Sequence, residues 1–245
     1  MPRIVTYNVH RCVGNDRQLD VGRVAEVLIE LRPDIVAMQE LDVGRARTGG
    51  VDQAHEIAKR LDMACHFNAA LTVEEERYGD AILTCYPAKL IQAAPLPGYG
   101  RIPQLEPRGA LWVEVEIDGK PVQIINTHLG LVPREQQIQA RYLAGPAWLE
   151  HPRCKGATIL LGDFNATGAS VVYRTLTAKL VAARTLSRGR RTPTTTFPSQ
   201  LPVLRIDHLF VSREIEVQAV TAPFEPLTRL ASDHLPLVMD FEVAA

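Results

Sequence analysis

The chain has no long apolar run, no surplus of charge of either sign and no paired-cysteine motif, and each absence removes a class of protein. No window approaches the roughly 20 consecutive apolar residues a bilayer span requires. The opening Met1-Pro2-Arg3-Ile4-Val5-Thr6 enters a strand-like run with no basic-then-apolar leader. A soluble, cytoplasmic protein is therefore expected. Lys and Arg number 27 against 28 Asp and Glu, so broad electrostatic capture of nucleic acid, which needs surplus cations to displace counterions, is disfavoured. Cys12, Cys65, Cys85 and Cys154 are scattered without Cys-x-x-Cys spacing, as reduced packing cysteines are. No repeat or linker interrupts the 245 residues, and a single domain over 1–245 is expected.

What is present is a series of strands that end in polar residues. Thr158-Ile159-Leu160-Leu161-Gly162-Asp163-Phe164-Asn165 reads as a strand covered on both faces. It delivers Asp163 and Asn165 two positions apart, with Phe164 turned inward. An Asx-type turn capping the strand is the plainer alternative for that pair. Arg3–Val9 and Ile35–Glu40 read as further strands, ending near Asn8 and at Glu40. Between them Val21, Val24, Val27, Leu28 and Leu31 recur at helical spacing behind Asp20 as cap.

Asp42–Gly50 reads as a loop, 53–61 as a helix, Ala64–Phe67 as a short strand and Glu74–Arg77 as a solvated loop or helix end. Tyr78–Thr84 and Lys89–Ala93 read as strands, and the Pro- and Gly-rich stretch 95–107 as a connection. Asp118-Gly119 should turn a hairpin whose second arm closes at His128. A helix over Pro133–Leu149, disturbed at Gly145-Pro146, and a short one near Ser170–Leu176 follow. Ser187–Ser199, with Arg188, Arg190 and Arg191, reads as an exposed loop. The last strands are Arg205–Val211, Ile215–Ala222 and Leu237–Val243.

Asn8, Glu40, His128, Asp163 with Asn165, Asp207, and Asp233 with His234 thus all fall at or just past strand ends. Any one of them alone could be a cap or a turn residue. Independent placement of the whole set is far less economical than a shared site, because functional side chains are commonly displayed on loops over a rigid sheet.

The blocks Thr6-Tyr7-Asn8, Gln39-Glu40, Asn126-Thr127-His128, Gly162-Asp163-Phe164-Asn165, Arg205-Ile206-Asp207 and Ser232-Asp233-His234 resemble, in order, the signatures of the endonuclease/exonuclease/phosphatase superfamily. The resemblance runs from Thr6 to Pro236. It implies a four-layer α-β-β-α sandwich of two mixed, mostly antiparallel sheets, and metal-dependent hydrolysis of a phosphoester. Within it, Glu40 resembles the main ligand for Mg²⁺ or Mn²⁺, with Asn8 and either Asp207 or Asp233 contributing directly or through water. Asp163 resembles the residue that orients or deprotonates the attacking water, and Asn165 the amide that holds a phosphate oxygen. His128 and His234 resemble the donors flanking the phosphate, and Asp207 the partner of His234, which predicts that their side chains meet.

Two features depart from the commonest pattern. Gly79-Asp80 stands where related sphingomyelinase-like sequences have Gly-Asn. The extra carboxylate of Asp80 could orient His128 or bind a second cation. Glu106-Pro107-Arg108-Gly109 and Thr196-Phe197-Pro198-Ser199 resemble a bacterial branch of the family, and Arg108 is a candidate phosphate contact. Arg190, with Arg188 and Arg191, is a candidate grip on a backbone or headgroup. For substrate, a small or lipid-derived phosphodiester ranks first, DNA or RNA second and an inositol-type phosphomonoester third. A catalytically silent binding module would carry a broken metal or histidine block, and none is broken.

Overall fold

A computed structural model describes residues 1–73, 76–102, 104–188 and 193–244. In chain order the elements are β1 (Arg3–Asn8), α1 (Val21–Leu31), β2 (Ile35–Val43), α2 (Gln53–Leu61), β3 (Ala64–Val73), β4 (Glu76–Thr84), β5 (Ala88–Pro95), β6 (Gly109–Ile117) and β7 (Lys120–His128). They continue with α3 (Pro133–Leu143), β8 (Thr158–Asp163), α4 (Val171–Thr177), β9 (Val181–Ala182), α5 (Ala183–Leu186), β10 (Asp207–Val211), β11 (Ile215–Thr221), α6 (Pro226–Ala231) and β12 (Leu237–Val243). The strands form two six-stranded sheets, in the orders β11-β12-β1-β2-β4-β3 and β5-β6-β7-β8-β10-β9.

The near-continuous apolar character of the central strands follows from having both faces covered. On β1, Ile4 points between the sheets while Val5 points outward to the helices. On β8, Ile159 and Leu161 point inward and Leu160 outward. Alternation along a strand therefore puts apolar residues in two cores at once. The outer core of the first sheet is closed by Val24, Val27 and Leu28 of α1 and Ile57 of α2. That of the second is closed by Leu143 of α3, Trp148 and Leu176 of α4. This is the expected four-layer sandwich.

Strand direction places the site. Each sheet is antiparallel apart from one parallel pair, β1 with β2 and β7 with β8, so Asn8 and Glu40 emerge at one sheet's edge and His128 and Asp163 at the other's. β10 runs antiparallel to β8 with Asp207 opposite Asp163. β12 runs antiparallel to β1, which brings the segment before it, Asp233-His234, to the same rim. Ends of parallel strands and starts of antiparallel ones thus share one edge.

Several sequence expectations need correcting. β2 runs on to Val43, because Asp42 is buried and receives Arg47 through two bonds of 2.7 Å rather than lying in a solvated loop. β3 extends to Val73, and Glu76 and Arg77 already belong to β4. The helix from Pro133 stops at Leu143, ahead of Gly145. In the segment 187–199, Thr194, Thr196 and Ser199 are buried, so its second half packs against the site instead of into solvent. α6, β9 and α5 were not anticipated, being too short to show periodicity. The Asp118-Gly119 turn is as expected: both residues have positive φ, 50° and 76°, which a two-residue hairpin requires.

Candidate active site

An open cleft of about 450 Å³ at this edge is lined by Glu40, Arg108, His128, Asp163, Asn165, Asp233 and His234. His10, Arg11, Arg47, Tyr78, Glu106, Leu131, Phe197 and Ile206 complete its walls.

The backbone is left-handed at two of the key residues and along one loop beside them. Glu40 has φ 61° at an irregularity of the β2–β4 pairing between Met38 and Leu41, and Asn165 has φ 48° just past β8. His10, Arg11 and Cys12 are left-handed in succession, at φ 44°, 56° and 57°. A non-glycine residue costs about 1–2 kcal/mol there, so the surroundings must hold these turns. Cys12 is buried, Gln53 Nε2 donates to the Arg11 carbonyl at 2.7 Å, and the His10 N–H donates to Asn8 Oδ1 at 3.0 Å. Gly162 fills the remaining strict requirement. Its φ is 143°, and a Cβ there would run into the Thr127 carbonyl of β7.

Asp163 is the hub. Its Oδ1 accepts the Asn165 N–H at 2.8 Å, so the Asx turn is real and serves to place Asn165. Its Oδ2 accepts Asn8 Nδ2 at 3.0 Å and lies 3.5 Å from His128 Nε2 and 3.6 Å from His234 Nε2. Burial, then the neighbouring Asp207, push the Asp163 carboxyl up to about 7, against His234, Asn165 and Asn8, which favour its ionised form. The same Asn8 nitrogen donates to Glu40 Oε1 at 3.0 Å. One amide therefore ties Glu40 to Asp163.

Asp207 and His234 meet as expected, with Oδ2 2.9 Å from Nδ1. Thr196 donates to the same oxygen at 2.5 Å. Burial alone would discharge His234, but Asp207 and then Asp163 overcome it and hold its pKa up at about 10. His234 is thus an imidazolium at neutral pH. His128 is its opposite: burial, then Arg108 and His234, push it well below the ordinary histidine range. Its Nδ1 lies 3.0 Å from Arg108 Nη1, and its Nε2 lies 3.1 Å from Asn165 Nδ2. Asn165 also donates to the Leu129 carbonyl at 3.0 Å.

The remaining sequence candidates sort by contact. Arg108 is buried and pairs with Glu106 at 2.7 Å, so it is neither exposed nor unpartnered. Asp80 is buried without a hydrogen bond among the described residues, and Arg108, not Asp80, occupies His128 Nδ1. Burial pushes the Asp80 carboxyl up to about 8, with Arg108 opposing and Glu40 reinforcing. Asp233 sits on the rim, 3.8 Å from His10 Nδ1. Arg188 pairs with Glu216 at 3.0 Å, while Arg190 lies outside the described residues. Sequence reasoning missed His10 and Arg11, two and three positions past the Thr6-Tyr7-Asn8 block, and Tyr78, directly before Gly79-Asp80. It also missed Gln136, whose Nε2 donates to the Gly130 and Asn165 carbonyls at 2.9 and 2.8 Å.

Asp163, Asp207 and His234 bring one ligand-type atom each within 4.8 Å of one another. Two bonds already converge on Asp207 Oδ2, so this trio is better suited to hydrogen bonding than to holding an ion. Glu40 is the freer carboxylate. Its Oε2 has no described partner, and with Asp233 it offers hard oxygen donors with no cysteine beside them. The Asn8 oxygen is taken by His10 N–H, so Asn8 would reach an ion by oxygen only with its amide turned over.

The chain belongs to the Endonuclease/Exonuclease/phosphatase family, whose model matches residues 5–234. It is 25% identical to the uncharacterized protein YbhP of Escherichia coli K12 over 96% of this chain and 94% of that one. Its fold is similar to a mannosyl-6-phosphatase of Bacteroides thetaiotaomicron, with TM-score 0.79, 18% identity, and 99% and 100% of the two chains covered. It is also similar to the human Nocturnin catalytic domain with bound sulfate, with TM-score 0.73, 22% identity, and 99% and 94% covered. No helix among the described residues is long and apolar enough to cross a membrane.

Proposed function

We propose that the chain is a Mg²⁺- or Mn²⁺-dependent phosphodiesterase acting on a small or lipid-derived phosphoester. The observation that carries this reading is the convergence on Asp163 Oδ2, where an amide and two histidines of opposite character surround a buried carboxylate. In the proposed reaction, water attacks phosphorus as the bond to the leaving oxygen breaks on the far side. Asp163 takes the water proton, a task suited to a carboxyl raised to about 7. His234, charged, and His128, neutral, donate Nε2–H bonds to the phosphoryl oxygens as negative charge builds there, and Asn165 Nδ2 adds a third donor. An ion held by Glu40, with Asp233 and Asn8, would neutralise phosphoryl and leaving-group charge.

The substrate class rests on the cleft. Its volume suits a headgroup-sized ligand, and Tyr78, Leu131, Phe197 and Ile206 interleave apolar surface with Arg11 and Arg47. A near-neutral chain lacks the cation surplus of a duplex-tracking protein. A phosphomonoesterase is the second reading, favoured by the likeness to the mannosyl-6-phosphatase.

A metal-supplemented screen of bis-p-nitrophenyl phosphate, p-nitrophenyl phosphate, plasmid DNA and phospholipid vesicles tests these readings together. Diester or phospholipid turnover that disappears in EDTA is expected. Monoester turnover alone selects the second reading, DNA cleavage alone a nuclease, and undiminished turnover in EDTA refutes the metal requirement.

A further inference from the structure

We infer that Arg108 is a positioning residue that fixes His128 as the neutral tautomer with its proton on Nε2, so that the two histidines of the cleft work in different charge states. A guanidinium has five N–H donors and no acceptor, so the 3.0 Å contact from Arg108 Nη1 to His128 Nδ1 forms only if Nδ1 carries a lone pair. A neutral ring accepts at one nitrogen only, and Asn165 Nδ2 approaches Nε2 at 3.1 Å, so the two donors compete. The charged guanidinium is the stronger donor, the amide already donates to the Leu129 carbonyl at 3.0 Å, and Nε2 also faces the Asp163 Oδ2 acceptor at 3.5 Å, so the proton sits on Nε2. An imidazolium would set N–H against N–H.

The same Nη1 also forms an ion pair with Glu106 Oε1 at 2.7 Å, which draws the guanidinium from the cleft side. Arg108 is buried while Glu106 is half exposed, so the pair is anchored on its cationic end. Across the sheets His234 meets a carboxylate at its own Nδ1, at 2.9 Å. The same ring position meets a cation at one histidine and an anion at the other. His128 is thereby a donor through a single proton, and His234 brings charge as well.

The charged groups around His128 are Arg108 with Glu106 on the 106–109 segment, Asp163 on β8, His234 before β12 and Asp80 on β4. Arg108 is the one among them in contact with Nδ1. Its loss therefore frees that nitrogen to take a proton. Burial and Arg108 together hold the ring uncharged in the native protein.

The kinetic consequence rests on the phosphoester-hydrolase reading above, whereas the tautomer does not. The test uses the whole Mg²⁺-supplemented protein and follows the His128 ring nitrogens by two-bond ¹H–¹⁵N correlation from pH 5 to 9, in wild type, Arg108→Met and Arg108→Lys. Wild type should show a bare Nδ1 and a protonated Nε2 throughout. Arg108→Met should begin to titrate within that range, and Arg108→Lys, which keeps a donor, should restore the wild-type pattern in part. With the diester identified by the screen, Arg108→Met should lower kcat roughly 10- to 100-fold with KM little changed. A wild-type ring that carries its proton on Nδ1 or titrates as a free imidazole overturns the inference. So does a variant whose ring spectra are unchanged and whose loss lies in KM alone, since that marks Arg108 as a phosphate contact. If no substrate turns over, the reaction assignment fails while the ring spectra still decide the tautomer.

Discussion

Replacing Asp207 by Asn should move the alkaline limit of activity, because Asp207 leads the groups that keep His234 charged. Burial works against that charge, yet the pKa stands at about 10 rather than the ordinary 6.5. The difference is roughly 5 kcal/mol of preference for the imidazolium, shared by Asp207, Asp163 and Asp233. With Asn at 207 the 2.9 Å bond loses its charge, and burial pulls His234 back toward or below 6.5. A ring titrating at 6.5 is charged in about 3% of molecules at pH 8 and in about 90% at pH 5.5. The variant should therefore lose roughly 30-fold in kcat at pH 8 relative to wild type, and much less at pH 5.5. The acid limb should move the same way, since Asp207 also helps raise Asp163 and its loss lets Asp163 ionise at lower pH. Full kcat–pH profiles with saturating Mg²⁺ read both limbs. A ratio of variant to wild type that stays constant from pH 5.5 to 9 would refute the reasoning.

Three further outcomes are expected. Asp163→Asn should lower kcat by roughly two or more orders of magnitude with circular dichroism unchanged, and wild-type turnover would remove Asp163 from the proposed role. Asp80→Asn should raise Tm at pH 8–9 by a few degrees and leave it nearly unchanged at pH 4. The sign follows from a folded pKa of about 8 above an ordinary 3.8: the folded state binds more protons between those values, so stability falls as pH rises through them, and an amide abolishes that fall. Equal Tm gains at both pH values would show that the buried charge is not the cause. Gly162→Ala should depress Tm strongly or abolish soluble expression, because its Cβ meets the Thr127 carbonyl and its φ of 143° suits no alanine. A variant as stable as wild type would mean β7 and β8 can separate at little cost.

The site was largely legible in the sequence because its residues sit at element ends, where an apolar run gives way to a polar residue. Asn8, Glu40, His128, Asp163 and Asn165 were marked by that break taken together with the family resemblance, and the Asp207–His234 contact was what the resemblance implied. What escaped is what depends on three-dimensional return. Asp42 looked like loop polarity because nothing local shows that Arg47 folds back onto it. Thr196 sat in a hydroxyl-rich stretch, and its bond to Asp207 spans 11 positions of aperiodic chain. Arg108 was visible as a charge but its partner was not, since His128 lies on the neighbouring strand, 20 positions on.

The left-handed residues show how the two levels join. His10, Arg11, Cys12 and Glu40 each have a positive φ that their own side chains disfavour, and Asn165 has one that asparagine tolerates better than most residues. Four of the five are held by a side chain at another position. Gln53 of α2 grips the Arg11 carbonyl, Asn8 takes the His10 N–H and anchors Glu40, and Gln136 of α3 grips the Asn165 carbonyl. Helices on both outer layers thus hold the turns that face the cleft. The strain at the rim is sustained in part by side chains of helices that lie outside the cleft. That separation lets the cleft residues be chosen for their chemistry, while the two six-stranded sheets fix where that chemistry occurs.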